Sequence, residues 1–226
     1  MNDWLANYAP NLVQRWPEFG QAIIDTLIMT GWSGGISFVL GMIFGIILTV
    51  TKPGGVAENL PVFQILDKII NFFRSIPFII LLVALMPLTR LIMGTAIGVP
   101  GAIVPLIFGC VPFFTRQVEV ALAEVPAGLV EAAEAMGCST ADIVWRVYLR
   151  ESIAPLVRVG TVTIISLIGL TAMAGAVGAG GLGDFAIRYG KDRNQDDITW
   201  AVVIVLVLMV SVVQIAGTAV ARKAKH

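Results

Sequence analysis

The stretch Thr199–Val220, TWAVVIVLVLMVSVVQIAGTAV, runs through 22 positions without a charged residue. A helix needs about 20 mostly apolar residues to cross the hydrocarbon layer of a bilayer, so this stretch reads as a membrane span. The rest of the chain agrees. Of its 226 residues, 57% are hydrophobic and only 13% charged, against about 25% charged in soluble domains. The formal charge is zero and the mean hydropathy is +0.88. A basic nucleic-acid binder and an acidic disordered chain are both excluded on these grounds.

Working backwards from Thr199, the same criterion gives five spans: 26–50, 69–93, 96–120, 156–176 and 199–220. The expected fold is an all-α membrane protein, with residues 1–226 forming a single transmembrane domain. The first span ends at Lys52-Pro53-Gly54-Gly55, a breaker cluster. Residues 1–20 lack the compact apolar core of a secretory signal and read as an amphipathic lead-in, with Trp4, Tyr8 and Trp16 suited to the membrane interface. With five spans the termini lie on opposite sides. Ten Lys and Arg residues gather on one side and five on the other. The richer side is expected to be cytoplasmic, which puts the N-terminus outside and the C-terminus inside. The longest polar segment, about Arg116 to Pro155, is then cytoplasmic.

Glycine and proline shape the spans. Gly41 and Gly45 form a small-residue pair of the kind that lets helix backbones approach in lipid, either within one chain or between two. Gly175–Gly183 (GAVGAGGLG) has five glycines in nine residues and cannot hold a stiff helix, since each glycine costs up to about 1 kcal/mol relative to alanine. It reads as a gate, a close helix crossing or a flexible exit loop. Pro77, Pro87, Pro100, Pro105 and Pro112 imply broken or kinked second and third spans. Ion-coupled carriers need ionisable groups at depth, yet the charges here fall near predicted span ends. Arg116 and Glu119, three apart, read as a solvated interfacial pair. Cys110 and Cys138 are not expected to pair. No phosphate loop, zinc motif or nucleophile elbow is present, so the chain is not read as an enzyme, and no catalytic or metal-ligating residue is assigned.

The segment from Glu124 to Leu149 is the organised one. Gly128 to Met136 should form a short alanine-rich helix, closed by Gly137 as a C-cap residue. Ser139 or Thr140 can cap a second helix from Ala141, with Asp142 in its first turn. Together they make a compact knob whose Leu129, Met136 and alanines offer an apolar surface to a groove. A plain connecting hairpin is the alternative.

The order of residues in this knob is Glu131-Ala132-Ala133, three residues, Gly137, nine residues, then Val147, Tyr148 and Leu149. It resembles the Glu-Ala-Ala motif of ABC-importer permeases, with Val147 at the usual isoleucine and Arg150 where the family carries proline. The strings Asn71–Leu81 (NFFRSIPFIIL) and Gly175–Gly183 are similar to the methionine-importer branch. The resemblance implies an ABC-importer permease subunit whose Glu131–Gly137 helix is a cytoplasmic coupling helix between spans 3 and 4. ATPase coupling would fall to Glu131, Ala132, Ala133, Gly137, Val147 and Leu149. It implies a homodimer around a translocation pathway and two separate ATP-binding subunits holding ATP and Mg, this chain having no cofactor of its own. An extracytoplasmic methionine-binding protein would deliver the substrate across a bacterial inner membrane. Losing the proline at Arg150 should alter the exit of the second helix without abolishing the knob. Ser166, Thr171 and Met173 are candidates for the pathway, with ordinary packing as the alternative. Arg146, Arg150 and Arg158 suit an anionic lipid surface, with contact with the ATPase as the alternative. Two other readings stay open: an ABC permease for another small solute, and a secondary carrier needing no ATPase.

Overall fold

The computed structural model describes residues 9–224, so the expectations for Trp4 and Tyr8 lie outside the described residues. Every regular element among them is helical. In chain order these are α1 (Pro10–Gln14), α2 (Trp16–Thr51), α3 (Leu60–Ser75), α4 (Phe78–Ala84), α5 (Met86–Met93), α6 (Gly98–Ala123), α7 (Ala127–Ala135), α8 (Thr140–Ile143), a π turn (Val144–Tyr148), α9 (Leu149–Glu151), α10 (Ile153–Gly175), α11 (Gly181–Phe185), a second π turn (Ala186–Lys191) and α12 (Asp196–Lys223).

Four of these, α2, α6, α10 and α12, are long and apolar enough to cross a membrane. They match expected spans 1, 3, 4 and 5, but α2 starts ten residues before the expected Thr26. Its 36 residues extend about 54 Å at 1.5 Å per residue, well beyond a hydrocarbon layer of about 30 Å. The first turns, with Glu18, Gln21 and Asp25, are therefore helix outside the apolar slab. Expected span 2, residues 69–93, is not one helix. It is the end of α3, then α4 and α5. Pro77 forces Ile76 out of the helical region, to φ −87° and ψ 122°, because the proline ring crowds the residue before it. α3 is amphipathic and already begins at Leu60, where the Asn59 side chain accepts the Val62 N–H at 3.2 Å. By contrast, α6 continues through Pro105 and Pro112 as one element, so of the two expected effects, a break or a kink, the break does not occur in span 3.

The chain forms two compact units. One comprises the described part of Met1–Gly34 with Pro77–Ile107 and Ile164–Val213. Its core packs Leu12, Phe19, Ala22, Leu182, Phe185, Tyr189, Ile198 and Val202. Polar groups close its edges. The Asp197 carboxylate accepts Asn11 N at 2.9 Å, Asn11 Nδ2 at 3.0 Å and Leu12 N at 3.3 Å. The Tyr189 hydroxyl donates to Glu18 at 2.6 Å, and the guanidinium groups of Arg15 and Arg193 lie 4.1 and 4.9 Å from the Tyr189 ring centroid.

The Gly175–Gly183 segment belongs to this unit and is a tight reversal. α10 ends at Gly175, and Gly178, Gly180 and Gly181 take φ of +84°, +79° and +75°. A Cβ on Gly175 would lie 2.3 Å from Asp184 N, and one on Gly183 would lie 2.2 Å from Ala172 O. Two stretches of backbone touch there, the close crossing among the expected readings. Leu182 N donates to the buried Thr26 Oγ1 at 2.9 Å, which fixes the turn to α2.

The other unit comprises Gly35–Ile76, Phe108–Thr163 and the described part of Gln214–His226. Its core gathers Phe114, Val118, Leu122, Ala133, Ile143 and Tyr148. Gly41 and Gly45 form the seam of α2 with α6. A Cβ on Gly41 would sit 2.6 Å from Phe114 Cδ1, and one on Gly45 would sit 2.5 Å from Val118 Cγ1. This small-residue pair thus packs within the chain. Buried hydroxyls are satisfied locally: Thr49, Thr115 and Thr163 each donate to the carbonyl four residues back at 2.8 Å, which lets them sit in apolar surroundings at little cost. Cys110 is buried, Cys138 exposed, and both are free thiols.

Candidate functional site

The knob lies wholly within the second unit. Pro126 opens α7, preset at φ −57°. At the other end Gly137 has φ +76°, a left-handed conformation that glycine adopts without steric penalty. Its N–H donates to Glu134 O at 2.9 Å and Cys138 N donates to Ala133 O at 3.1 Å. This doubly bonded closure is a Schellman motif and satisfies two of the last carbonyls of α7. Ser139 then caps α8: its Oγ accepts Asp142 N at 3.2 Å and donates to Asp142 Oδ2 at 2.6 Å. Arg146 lies 3.3 Å from Asp142. The Ser139 hydrogen bond first, and the Arg146 charge second, hold the Asp142 carboxyl below the usual carboxylate range.

The helix does not stay regular after α8. Val144–Tyr148 widens into a π turn, which holds one residue more than an α turn would. Tyr148 is buried here, and its phenol is pushed up by that burial and by the negative charge of Glu134. Arg150 sits inside the following helical turn, α9, which ends at Ser152. The knob is therefore complete with arginine in place of proline. The Ser152 hydroxyl donates to Ala121 O at 3.2 Å, tying the root of the knob to the end of α6.

The structure sorts the motif residues by burial. Glu131, Ala132 and Gly137 are exposed. Ala133 is only 4% exposed and packs in the core with Phe114, Val118 and Leu122. Val147 and Leu149 are half-buried against the same cluster. The six residues therefore have two jobs: three face outward and three hold the knob to the helices. Leu129 and Met136 are exposed, as expected, but Trp145 joins them with 72% of its surface open. A tryptophan beside Arg146 in a polar segment was the available signal for it. Leu129, Met136 and Trp145 thus leave three large apolar side chains exposed on this segment.

One other expectation comes out differently. Arg116 is not in a solvated pair. Its guanidinium bonds Glu119 at 2.6 Å, Asn71 at 2.9 Å and also Asp67, and its side chain is 18% exposed. Asp67 and Asn71 are themselves linked at 2.9 Å. Their four-residue spacing on the amphipathic α3 was legible, but the partner 45 or more residues away was not. The pathway candidates all stand on α10 and differ in exposure. Ser166 is half-buried, Met173 is 44% exposed, and Thr171 is buried with its hydroxyl donating to Ile168 O at 2.7 Å. Among the described residues, no group of three or more His, Cys, Asp or Glu side chains is placed to hold a metal ion.

A family model described as "binding-protein-dependent transport system inner membrane component" matches residues 37–226. The chain belongs to this family. It is 45% identical over 221 residues to the probable D-methionine transport system permease protein MetI of Vibrio cholerae, covering 96% of this chain and 98% of that one. It is 48% identical over 155 residues to the D-methionine transport system permease protein MetI of Escherichia coli strain K12, covering 69% and 71%. Among solved structures, it resembles a chain from the inward-facing MetNI methionine ABC transporter with a TM-score of 0.88 and 42% identity over the whole of both chains. An amino acid ABC transporter shares the fold at a TM-score of 0.78 and 16% identity, covering 95% of this chain and 98% of that one.

Proposed function

We propose that this chain forms the substrate path of an ATP-driven methionine importer, with the α7–α8 knob as the handle by which a separate ATPase moves it. The observation that carries the reading is the knob itself. Its turn is held by local hydrogen bonds, its root is packed on α6, and its outer surface presents Leu129, Met136 and Trp145 beside Glu131 and Ala132. A rigid body that is apolar outside and anchored inside can transmit a push. In this reading Glu131, Ala132 and Gly137 meet the ATPase, and Ala133, Val147 and Leu149 pass the displacement to α6.

The remaining arrangement follows from the same reading. Residues 69–93 cross as a fifth, broken span made of the end of α3, α4 and α5. The N-terminus lies outside and the C-terminus in the cytoplasm. Two copies enclose the pathway, two ATPase subunits hold ATP and Mg, and an extracytoplasmic binding protein delivers methionine. Of the pathway candidates, Met173 has the most open surface and Ser166 some, while Thr171 acts through packing.

The test is reconstitution. Purified with its ATPase, the chain should support hydrolysis that rises when methionine-loaded binding protein is added, and vesicles should accumulate methionine only with ATP. Methionine concentrated by the isolated chain alone would overturn the reading. The competing reading, a secondary carrier, would have to draw on the partly buried charges of Arg116, Asp67 and Glu119. Uptake abolished by a proton uncoupler at constant ATP would select it.

A further inference from the structure

Within the second unit, a groove of about 360 Å³ opens between α10 and α12. α10 lines it with Arg158, Thr161 and Val162, and α12 with Gln214, Gly217, Thr218, Ala221 and Arg222. Both sets follow the three- and four-residue steps of a single helix face. The floor is made by close approach: a Cβ on Gly217 would lie 2.0 Å from Thr161 Oγ1. The rim is polar and the wall apolar. Thr161 donates to Val157 O at 2.8 Å and Thr218 donates to Gln214 O at 2.7 Å, so both hydroxyls have used their only proton. Gln214 Nε2 donates to Thr218 Oγ1 at 3.4 Å, so the donors left along the groove are chiefly the two guanidinium groups. Arg158 pairs through one nitrogen with Glu124 at 3.6 Å, which leaves the other guanidinium N–H groups for a ligand. Arg158 lies in the second turn of α10 and Arg222 in the last turn of α12, both at the same end of membrane-crossing helices. Ends of bilayer-crossing helices meet the headgroup layer.

We propose that this groove is a binding site for an anionic phospholipid, its phosphate held between Arg158 and Arg222 and its chain lying against Val162, Gly217 and Ala221. Guanidinium forks match a phosphate with paired hydrogen bonds. Zwitterionic lipid carries a compensating cation that two arginines repel. Free phosphate would have no use for the apolar wall.

The full chain, purified in mild detergent, can be titrated with phosphatidylglycerol, phosphatidylcholine or inorganic phosphate and read by native mass spectrometry. Phosphatidylglycerol should be retained over phosphatidylcholine. R158Q should weaken retention about fivefold and R158Q/R222Q about thirtyfold, taking the usual contribution of one cation near a membrane surface. R74Q/R90Q removes the same charge from positions that do not line the groove and should leave retention unchanged. All four positions are exposed, so the variants should keep the wild-type helical content, checked by circular dichroism. Equal retention of the two lipids, equal loss in the two double variants, or displacement of the lipid by inorganic phosphate would each overturn the proposal.

Discussion

Replacing Gly137 by asparagine, alanine or valine separates backbone strain from crowding at the turn of the knob. The residue has φ +76°, and a Cβ built there meets nothing within 4 Å. Any penalty therefore comes from the backbone alone. For an L side chain in this left-handed region it is about 1–2 kcal/mol, smaller for asparagine, which tolerates it, and largest for β-branched valine. Since 1.4 kcal/mol is a factor of ten, the closed turn should lose about five- to thirtyfold in population with alanine. The readout is amide hydrogen exchange at Gly137 and Cys138, whose N–H groups donate to Glu134 O and Ala133 O and exchange only when the turn opens. Exchange should accelerate in the order asparagine, alanine, valine, with ATP-driven uptake falling in the same order and membrane insertion unchanged. If valine kept wild-type protection, or asparagine were as harmful as valine, the strain argument would be wrong.

Other perturbations address separate contacts. G45V brings atoms against Val118 Cγ1 and against Thr115 O, 3.1 Å from the first added carbon; overpacking of this kind costs about 1–3 kcal/mol and should lower the thermal midpoint in detergent. A133L should destabilise the chain in the same assay because Ala133 is buried, whereas A132L should leave the midpoint alone and reduce co-purification of the ATPase. R116Q leaves Asp67 and Glu119 together without a cation and should cost about 1–3 kcal/mol after allowing for their partial exposure; the triple variant R116Q/D67N/E119Q should recover part of the loss. The Asp142 cap is present above the ordinary carboxylate range, because the folded carboxyl titrates lower than the unfolded one. Its contribution fades as pH falls through the folded value, so the protection of the Asp142 amide relative to a free peptide should fall in acid, and S139A, which removes the acceptor of that amide, should lower its protection at every pH.

What was legible in the sequence follows the range of the forces. The spans corresponding to α2, α6, α10 and α12 are unbroken apolar runs, and length against bilayer thickness identifies them. The Gly137 and Ser139 caps are local and were readable residue by residue. The start of α2 was missed because a helix can outlast the apolar layer that reveals it. The second span was drawn too simply, since Pro77 interrupts the helix while the hydropathy continues across it. Ala133 could not be told from Ala132 by type or spacing. Only the packing of Phe114, Val118 and Leu122 against one face of α7 separates them. The environment of Arg116 was hidden for the same reason, its carboxylate and amide partners standing on α3.

The wide turn at Val144–Tyr148 bears on how this segment tolerates changes in length. A single-residue deletion there would relax it to an ordinary α turn without breaking any flanking helix. Because the turn already holds one residue more than an α turn, losing that residue keeps the flanking helices in phase, and Ala133 should stay packed on Phe114, Val118 and Leu122. A deletion in the regular helix that follows has no such slack and turns what precedes it by about 100°. The protrusion therefore tolerates a shortened chain at one point of its length and not at the next.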